Sequence, residues 1–273
     1  MRIYALLVYL FLYAPIALIV GFSFNSGRYA MDWQGFSLAW YGVAFSNDLI
    51  VRALTTSLAI ALTTAVLASI IGTMAALGLE RTSGLVRQAF DALIYIAIMV
   101  PGVVIGIATL IAFVQLFDIV NPALEGLMGV RVQMGAWTVV AAHVLFNIAV
   151  VVLIVRARLS GLDRSLVEAS EDLYATPWGT FRQVVLPLLA PAIVAGFLIS
   201  FTFSFEDFII AFFVAGPDTT LPIYVFSSIR RGVTPEINAV GTVVLISSLA
   251  LMLTAQLLMR TSGERAKRRQ TEG

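Results

Sequence analysis

The sequence predicts an all-α polytopic membrane protein with six transmembrane helices. Three observations indicate this fold class: the composition, six long apolar segments and the distribution of basic residues. Of the 273 residues, 60% are hydrophobic and only 12% are charged, whereas soluble domains are about half apolar and a quarter charged. One soluble core cannot bury that excess of apolar surface, so the chain requires a lipid bilayer as its solvent.

Six segments are long and apolar enough to cross a membrane. A crossing helix needs about 20 mostly apolar residues, because hydrocarbon cannot satisfy backbone polar groups. The predicted spans are Ile3–Phe22, Ala53–Leu79, Leu93–Phe117, Gly135–Val155, Leu188–Ala215 and Ile237–Met259. We therefore expect a first span with a periplasmic segment in residues 1–52, a transmembrane domain in residues 53–259, and a basic cytoplasmic tail in residues 260–273.

The basic residues predict that both termini are cytoplasmic. With that orientation, twelve of the 17 Lys and Arg residues lie on the cytoplasmic side, as the positive-inside rule requires. The sequence therefore predicts a multi-pass protein of the bacterial inner membrane, with the N-terminus and the C-terminus inside.

Composition argues against several classes of function. A net charge of +1 gives no basic excess for nucleic acid. The absence of Cys and the presence of one His rule out thiolate and histidine-cluster metal sites. The only Lys is Lys267, in a polar tail, so the chain has no phosphate-binding P-loop. A membrane enzyme would need a cluster of catalytic residues, which a lone His and one acidic pair do not supply.

The polar segment between spans four and five predicts two short cytoplasmic helices within about residues 159–187. Thr176 is a candidate N-cap and Pro177 a candidate first helical residue, and the second helix is expected to end near Leu186. An amphipathic first helix is predicted by apolar or small residues at intervals of three and four: Leu159, Leu162, Leu166, Ser170 and Leu173.

One motif in this segment is specific. Glu168-Ala169-Ser170 is followed after three residues by Tyr174, and after nine more by the sequence Val184-Val185-Leu186-Pro187. This pattern resembles the coupling motif of binding-protein-dependent ABC importer permeases, which reads E-A-A, three residues, G, nine residues, I-x-L-P. Tyr174 replaces the glycine, which predicts a turn that does not need positive φ. The resemblance assigns ATPase coupling to Glu168, Ala169, Ser170, Leu173, Tyr174, Ala175, Leu186 and Pro187.

The resemblance extends over about residues 53–259 and implies a type I ABC transporter transmembrane domain. It further implies a second permease subunit, two ATP-binding subunits that hold ATP and Mg, an extracytoplasmic solute-binding protein and surrounding lipid, with no cofactor and no catalytic site in this chain. The segments "LISFTFSFEDFIIAFFVAGP" and "TTLPIYVFSSIRRGVTPEINA" are most similar to polyamine (spermidine/putrescine) permeases. Two alternatives stay open: a permease for another amine, a sugar or an anion, and an ion-driven secondary transporter, which would show inverted repeats and broken helices.

An acidic pair in span five, Glu206-Asp207, suggests a cation pathway. A carboxylate at mid-membrane costs about 2.5–3.5 kcal/mol, so it is expected to face a pathway, a partner helix or the outer mouth. Neighbouring residues point about 100° apart on a helix, so one acid lines the pathway while the other pairs with Arg or caps a helix. The alternative is a structural pair satisfied by the partner permease. The candidate pathway residues, with aromatic faces for cation–π contact, are Glu206, Asp207, Phe203, Phe205, Phe208 and Tyr224.

Three further features concern packing. His143 and Asn147 share one face of span four, which favours an interhelical hydrogen bond over a proton relay, because no acid follows at helical spacing. Pro101-Gly102 and Gly106 predict either a bend or close packing in span three. In span two, small residues spaced by four predict a close helix contact: Ala61, Ala65, Ser69 and Thr73, flanked by Ala68, Gly72 and Ala76.

Overall fold

The structure is a computed structural model, and it is helical over most of the described residues. It describes residues 2–28, 32–163, 165–230, 232, 234–251 and 253. Within these ranges the β pairing is limited to an isolated bridge between Asn25 and Phe36. The predicted all-α fold class is therefore confirmed. The chain divides into two compact units.

The first unit joins Met1–Ser57 to Thr219–Leu251. Two hydrogen bonds link these distant parts of the chain. Ser57 Oγ accepts from the backbone N–H of Leu221 at 2.7 Å, and Asn47 Nδ2 donates to Glu236 Oε1 at 2.8 Å. The helices of this unit are α1 (Arg2–Phe22), α2 (Ala39–Ser46), the first turns of α3 (Asp48–Glu80), α11 (Leu221–Ile229) and α12 (Pro235–Leu251).

The second unit contains Leu58–Asp218. Its central helix is α6, which packs against α4, α5, α9 and α10. After the remainder of α3, the helices are α4 (Gly84–Met99), α5 (Gly102–Met128), α6 (Ala136–Leu159), α7 (Ser165–Asp172), α8 (Pro177–Thr180), α9 (Leu186–Glu206) and α10 (Ile209–Val214). A π-helical stretch, Phe181–Val185, joins α8 to α9.

Small residues on α3 form the predicted packing face. Gly72 lies so close to α6 that a Cβ there would be 2.8 Å from Val151 Cβ. Ala61, Ala65, Ala68 and the neighbouring Ala76 are fully buried. Because lipid tails are as apolar as these side chains, close van der Waals packing rather than the hydrophobic effect holds such helices together. The prediction of a helix contact at this face is confirmed.

Five described helices are long and apolar enough to cross a bilayer. They are Ile3–Phe22, Asp48–Glu80, Gly102–Met128, Ala136–Leu159 and Pro177–Glu206, and α12 is a shorter apolar helix. Large apolar side chains of α1, such as Leu10 and Phe11, are more than half exposed, as expected for contact with lipid. The predicted sixth span, Ile237–Met259, extends beyond the described residues, and the predicted tail 260–273 lies outside them. Six spans and the N-in, C-in orientation stay predictions.

The predicted third span, Leu93–Phe117, is wrong as a single helix. It contains the end of α4 and the start of α5, which are separated at Val100 and Pro101. Pro101 disfavours the helical conformation at the residue before it, and Val100 has ψ 129°. The bend predicted at Pro101-Gly102 is therefore a complete interruption of the helix.

The predicted fifth span, Leu188–Ala215, is wrong at both ends. The helical run begins upstream at Pro177 and continues for 30 residues to Glu206. It ends because Asp207 adopts an extended conformation, with ψ 119°, after which α10 forms a separate helix. Hydropathy averaged over a window could not detect this break, since the acidic pair lies within a long apolar stretch.

Candidate functional site

A cavity of about 310 Å³ lies inside the second unit, and both helix interruptions line it. Its walls are mainly apolar and aromatic, with three polar side chains. A volume near 300 Å³ and this composition are typical of small-molecule sites. The lining residues are Ile98, Val100, Gly102, Ile105, His143, Phe146, Asn147, Phe203, Asp207 and Ile210.

Close contacts fix the position of α10, which contributes Ile210 to the wall of this cavity. A Cβ at Gly106 of α5 would lie 2.7 Å from Phe213 Cδ2, so α10 packs directly on the α5 backbone. Thr138 Oγ1 donates to the carbonyl oxygen of Val214 at 2.6 Å. Asp218 Oδ2 accepts from the backbone N–H of Ala136 at 2.7 Å. These bonds hold the C-terminal end of α10 and the turn that follows it against the start of α6.

Asp207 occupies the interruption between α9 and α10. Its Oδ1 accepts hydrogen bonds from the backbone N–H groups of Ile210 at 2.8 Å and Ala211 at 3.2 Å. Aspartate at the start of a helix satisfies amides that have no partner within the helix. The same carboxylate lines the cavity, so the break places a negative charge there.

His143 connects α6 to the end of α9. Its ring is 2% exposed, and Nδ1 lies 2.8 Å from Ser204 Oγ. Its Nε2 lies 3.3 Å from Asp207 Oδ1, within ion-pair distance but without hydrogen-bond geometry. The predicted interhelical hydrogen bond is confirmed by Ser204. The sequence shows no acidic residue at helical spacing from His143 on α6. The acid near His143 is instead Asp207, at the junction of α9 and α10.

Asn147 carries a buried acceptor without a protein partner. Its Nδ2 donates to the carbonyl oxygen of His143 at 2.8 Å, whereas its Oδ1 is buried and unpaired. A buried acceptor left unpaired costs about 1–3 kcal/mol, and an N–H donor of a ligand in the cavity would satisfy it. Among the described residues, no three His, Cys, Asp or Glu side chains are grouped to hold a metal ion.

The six candidate pathway residues do not form one group. Asp207 and Phe203 line the cavity, and the Phe203 ring lies 6.0 Å from that of Phe146. Phe205 is buried against Phe201, with stacked rings 5.8 Å apart. Like Phe205, the other three residues do not line the cavity. Phe208 contacts Phe212, Glu206 is exposed, and Tyr224 belongs to the first unit. Their part in cargo passage stays a prediction.

The sequence did not identify several wall residues. Phe146 lies three residues after His143, so helical spacing from a polar residue already singled out could have indicated it. Ile98 and Ile105 flank the Pro101 interruption, which was predicted only as a bend. Ile210 could not be predicted as a wall residue, because the helix is interrupted at Asp207 and helical spacing from the residues of α9 does not continue into α10.

The predicted coupling segment begins with α7, which carries Glu168, Ala169 and Ser170. Its end is a Schellman motif: the Ala175 N–H donates to the Ser170 carbonyl oxygen at 3.1 Å, and the Tyr174 N–H donates to that of Glu171 at 2.9 Å. This motif places one residue, Tyr174, in the left-handed region. A defined turn therefore joins α7 to the following helix.

Tyr174 has φ 60°, so the prediction that this turn avoids positive φ is wrong. Tyr174 thus adopts a left-handed conformation that glycine, the motif residue at this position, reaches without strain and that costs an ordinary residue about 1 kcal/mol or more. The Tyr174 side chain is 96% exposed, beside the exposed Leu173 and Trp178. The turn therefore presents a large aromatic group at its surface.

Side-chain hydrogen bonds fix the two arms of this segment. Thr176 Oγ1 accepts from the Gly179 N–H at 3.1 Å, which confirms Thr176 as the N-cap and Pro177 as the first helical residue. Ser170 Oγ and Thr180 Oγ1 lie 2.8 Å apart and join α7 to α8.

The start of α7 is capped by an acid. Hydrogen bonds from the side chain and the backbone N–H of Ser165 hold the pKa of Asp163 below its ordinary value. Because the ionised carboxylate accepts these bonds, they stabilise the turn before α7 at neutral pH.

Two expectations for this segment are wrong in detail. The second helix does not end near Leu186, because Leu186 and Pro187 lie inside the continuous run Pro177–Glu206. The predicted apolar stripe is not one helix face. Leu159 ends α6 and packs with Leu162 against the core, whereas Leu173 is exposed after α7.

Comparison with known proteins identifies similar chains. Residues 68–268 match the family described as binding-protein-dependent transport system inner membrane component. The chain is 37% identical over 254 residues to a spermidine/putrescine transport system permease protein PotC from Haemophilus influenzae, covering 93% of each protein. It is 42% identical over 243 residues to a putrescine transport system permease protein PotI from Escherichia coli strain K12, covering 88% of this chain and 83% of that protein.

Solved structures show the same fold. A chain of a bacterial ABC transporter involved in import of the acidic polysaccharide alginate superposes with a TM-score of 0.70, at 17% identity over 95% of each chain. A chain of a bacterial alginate ABC transporter in complex with an alginate pentasaccharide-bound periplasmic protein gives a TM-score of 0.69, also at 17% identity. At this identity the likeness carries the fold alone.

Proposed function

Since this chain belongs to the binding-protein-dependent transport system inner membrane components, we propose that it forms half of the translocation pathway of an ABC importer for polyamines such as putrescine and spermidine. Its partners in this proposal are a second permease, two ATP-binding subunits and an extracytoplasmic solute-binding protein. The two relatives compared above are named for polyamine transport.

The carboxylate of Asp207 in an otherwise largely apolar cavity is the observation that carries the cargo assignment. A polyamine consists of ammonium groups joined by short alkyl chains, so it needs negative charge and apolar surface together. Asp207 supplies the charge. The rings of Phe146 and Phe203 offer cation–π faces to an ammonium group, and Asn147 Oδ1 offers a further acceptor.

This arrangement disfavours an anionic cargo, because an anion would meet the Asp207 carboxylate with no Lys or Arg among the lining residues. A sugar would need more hydrogen-bonding groups than the cavity walls provide. Primary amines therefore fit the described lining better than the two other solute classes considered from the sequence.

Energy is proposed to reach the cavity through the segment around Tyr174. ATP binding closes the partner ATPase dimer, and the surface formed by α7, its turn and α8 follows that motion. The continuous helical run Pro177–Glu206 connects α8 directly to Asp207. Movement at the cytoplasmic end of this run would therefore displace the cavity wall, as alternating access requires.

The cargo site is tested by amide substitutions in the reconstituted complex. Asp207→Asn removes the charge but retains the shape, and we expect the KM for putrescine to rise about ten-fold or more, since hydrogen bonds to charged groups contribute about 1.5–3 kcal/mol. Glu206→Gln should have a smaller effect, because Glu206 does not line the cavity. Glu125→Gln, an exposed acid on α5, is the matched control. An unchanged KM in Asp207→Asn would contradict the assignment.

Assembly is tested separately by co-purification. A tagged permease should bring down an ATP-binding subunit and a second permease from membranes of its native host. Recovery of this chain alone or only as a homo-oligomer, with no ATPase, would favour the ion-driven alternative.

A further inference from the structure

The buried acceptor of Asn147 and the carboxylate of Asp207 line the same cavity at different levels. We infer that they form a two-point site, in which Asp207 binds one ammonium group of a polyamine and Asn147 Oδ1 accepts a hydrogen bond from the next ammonium group along the cargo. The inference rests on the proposed function, since it concerns the same cavity and the same class of cargo. It assigns Asn147 as the residue that distinguishes a diamine from a monoamine.

Contacts between α6 and α9 define the levels of the cavity wall. His143 Nδ1 lies 2.8 Å from Ser204 Oγ, and a Cβ at Gly196 would lie 3.4 Å from Val151 Cγ1. Residue numbers therefore rise along α6 as they fall along α9, so the two helices are antiparallel. One turn along α6 is matched by one turn in the opposite direction along α9.

Asp207 and Asn147 are separated by about one helical turn along this wall. Asp207 Oδ1 lies beside the ring of His143, 3.3 Å from Nε2. Asn147 follows His143 by four residues, which places it on the same face of α6 after a rise of about 6 Å. The terminal nitrogens of an extended four-carbon diamine are separated by a similar distance. Putrescine is that diamine, and spermidine contains the same four-carbon unit.

The orientation of the Asn147 amide is fixed by its neighbour. Nδ2 donates to the His143 carbonyl oxygen at 2.8 Å, and a carbonyl oxygen can only accept. Exchanging the amide nitrogen and oxygen would bring two acceptors together, so Oδ1 is the atom left without a partner within the described part of the chain. Asn147 is 1% exposed, so a donor that reaches Oδ1 through the cavity forms a hydrogen bond that bulk water does not supply.

The surroundings of Asn147 suit an ammonium group. The antiparallel register places Ser200 of α9 opposite Asn147, and the Ser200 hydroxyl is also fully buried and unpaired among the described residues. Phe203 precedes Asp207 by one turn of α9, and its ring lies 6.0 Å from the ring of Phe146. This level of the cavity therefore combines aromatic faces with free acceptors, which bind an ammonium group through cation–π contacts and charge-assisted hydrogen bonds.

A purely structural role of Asn147 predicts a different behaviour. If water, or a small shift that joins Ser200 to Asn147, satisfies both side chains, then loss of Asn147 disturbs the wall and weakens the binding of every amine alike. If Asn147 holds the second ammonium group, its loss weakens diamines and spares monoamines, which have no such group. The ratio of the dissociation constants of butylamine and putrescine separates the two explanations.

The test measures binding of labelled butylamine and putrescine by equilibrium dialysis, on the complex of both permeases and the ATPase in lipid nanodiscs. The binding protein is omitted, so its own selectivity does not enter. Asn147→Leu removes the acceptor at similar volume and should lower the butylamine-to-putrescine ratio about ten-fold or more, as for loss of a hydrogen bond to a charged group. Asn147→Ala should lower the ratio likewise, so the result does not depend on how leucine packs.

Two further variants serve as references. Thr64→Val removes a hydroxyl on α3 that is buried and unpaired among the described residues but does not line the cavity, so both dissociation constants should stay unchanged. Asp207→Asn should weaken the binding of both amines, because each of them places an ammonium group beside this carboxylate.

An unchanged ratio in both Asn147 variants, with both amines bound by the wild type, would overturn the two-point site and leave the proposed function standing. Absence of putrescine binding in the wild-type complex would also overturn the site. If uptake is then absent as well when the binding protein is restored, the proposed polyamine cargo is overturned with it.

Discussion

Gly106 of α5 and Phe213 of α10 are in such close contact that a Cβ at Gly106 would lie 2.7 Å from Phe213 Cδ2. Real Cβ atoms do not approach another atom so closely. After Asp207 interrupts the helix, the short helix α10 packs directly on the α5 backbone at this glycine. Ile210, on the same short helix, thereby reaches the cavity wall.

Gly106→Ala should consequently destabilise the second unit and distort the cavity. We expect a loss of about 1–3 kcal/mol, typical of overpacking in a close-packed interior, and reduced putrescine uptake. Gly126→Ala on the same helix is the matched control, because nothing lies within 4 Å of its Cβ position. Thermal unfolding of the purified complex compares the two. Equal melting temperatures for both variants would show that Phe213 moves aside freely.

Tyr174→Gly should stabilise the turn after α7 while weakening its interaction with the ATPase. Glycine removes the left-handed strain of about 1 kcal/mol, so hydrogen exchange at the Ala175 amide, which is bonded to Ser170, should slow. Tyr174→Ala removes the ring but keeps positive φ, so it should not slow exchange. Both variants should reduce cargo-stimulated ATP hydrolysis, because the exposed ring is lost in each.

Two results would argue against this account of Tyr174. Slower exchange in Tyr174→Ala, comparable with that in the glycine variant, would mean that strain is not what glycine relieves. Full cargo-stimulated hydrolysis in both variants would mean that the ring does not contact the ATPase.

Arg156 donates to Asp91 in a partly buried ion pair that ties α6 to α4. A double-mutant cycle with Asp91→Asn and Arg156→Gln should give a coupling energy of about 1–3 kcal/mol, as for hydrogen bonds to charged groups with limited solvent access. The same cycle at Glu125 and Arg131, whose side chains are 52% and 65% exposed at 3.8 Å, should give about 0–1 kcal/mol. Unfolding of the purified complex followed by tryptophan fluorescence measures both. Equal coupling energies would contradict the difference in burial.

The fold class could be predicted from the sequence because hydropathy is an average over all residues of a segment. The small-residue face of α3, the cap at Thr176 and the hydrogen bond of His143 followed from local rules of helix chemistry. What hydropathy could not reveal are the interruptions at Pro101 and Asp207. Both lie within long apolar stretches, so the averaged hydropathy stays high across them, and the breaks depend on one proline and one capping carboxylate.

The candidate site was predicted only in part. The acidic pair was singled out because charge in an apolar span is rare. The prediction that the two acids divide the roles of lining the pathway and capping a helix is wrong, because Asp207 does both. Phe205 and Tyr224 were included on residue type alone, and type does not determine which side of a helix faces a cavity. Tyr174 shows another limit: a family glycine predicts positive φ, but the replacing residue can accept the strain.

The proposed function is ATP-driven import of polyamines through a pathway that includes Asp207. The most direct measurement is uptake of labelled putrescine into proteoliposomes that contain this chain with its partner permease, ATPase and binding protein. We expect uptake that requires internal ATP and the binding protein, persists when ion gradients are dissipated, and falls strongly in Asp207→Asn. Uptake driven by an ion gradient without ATP, or no polyamine uptake by the intact complex, would contradict it.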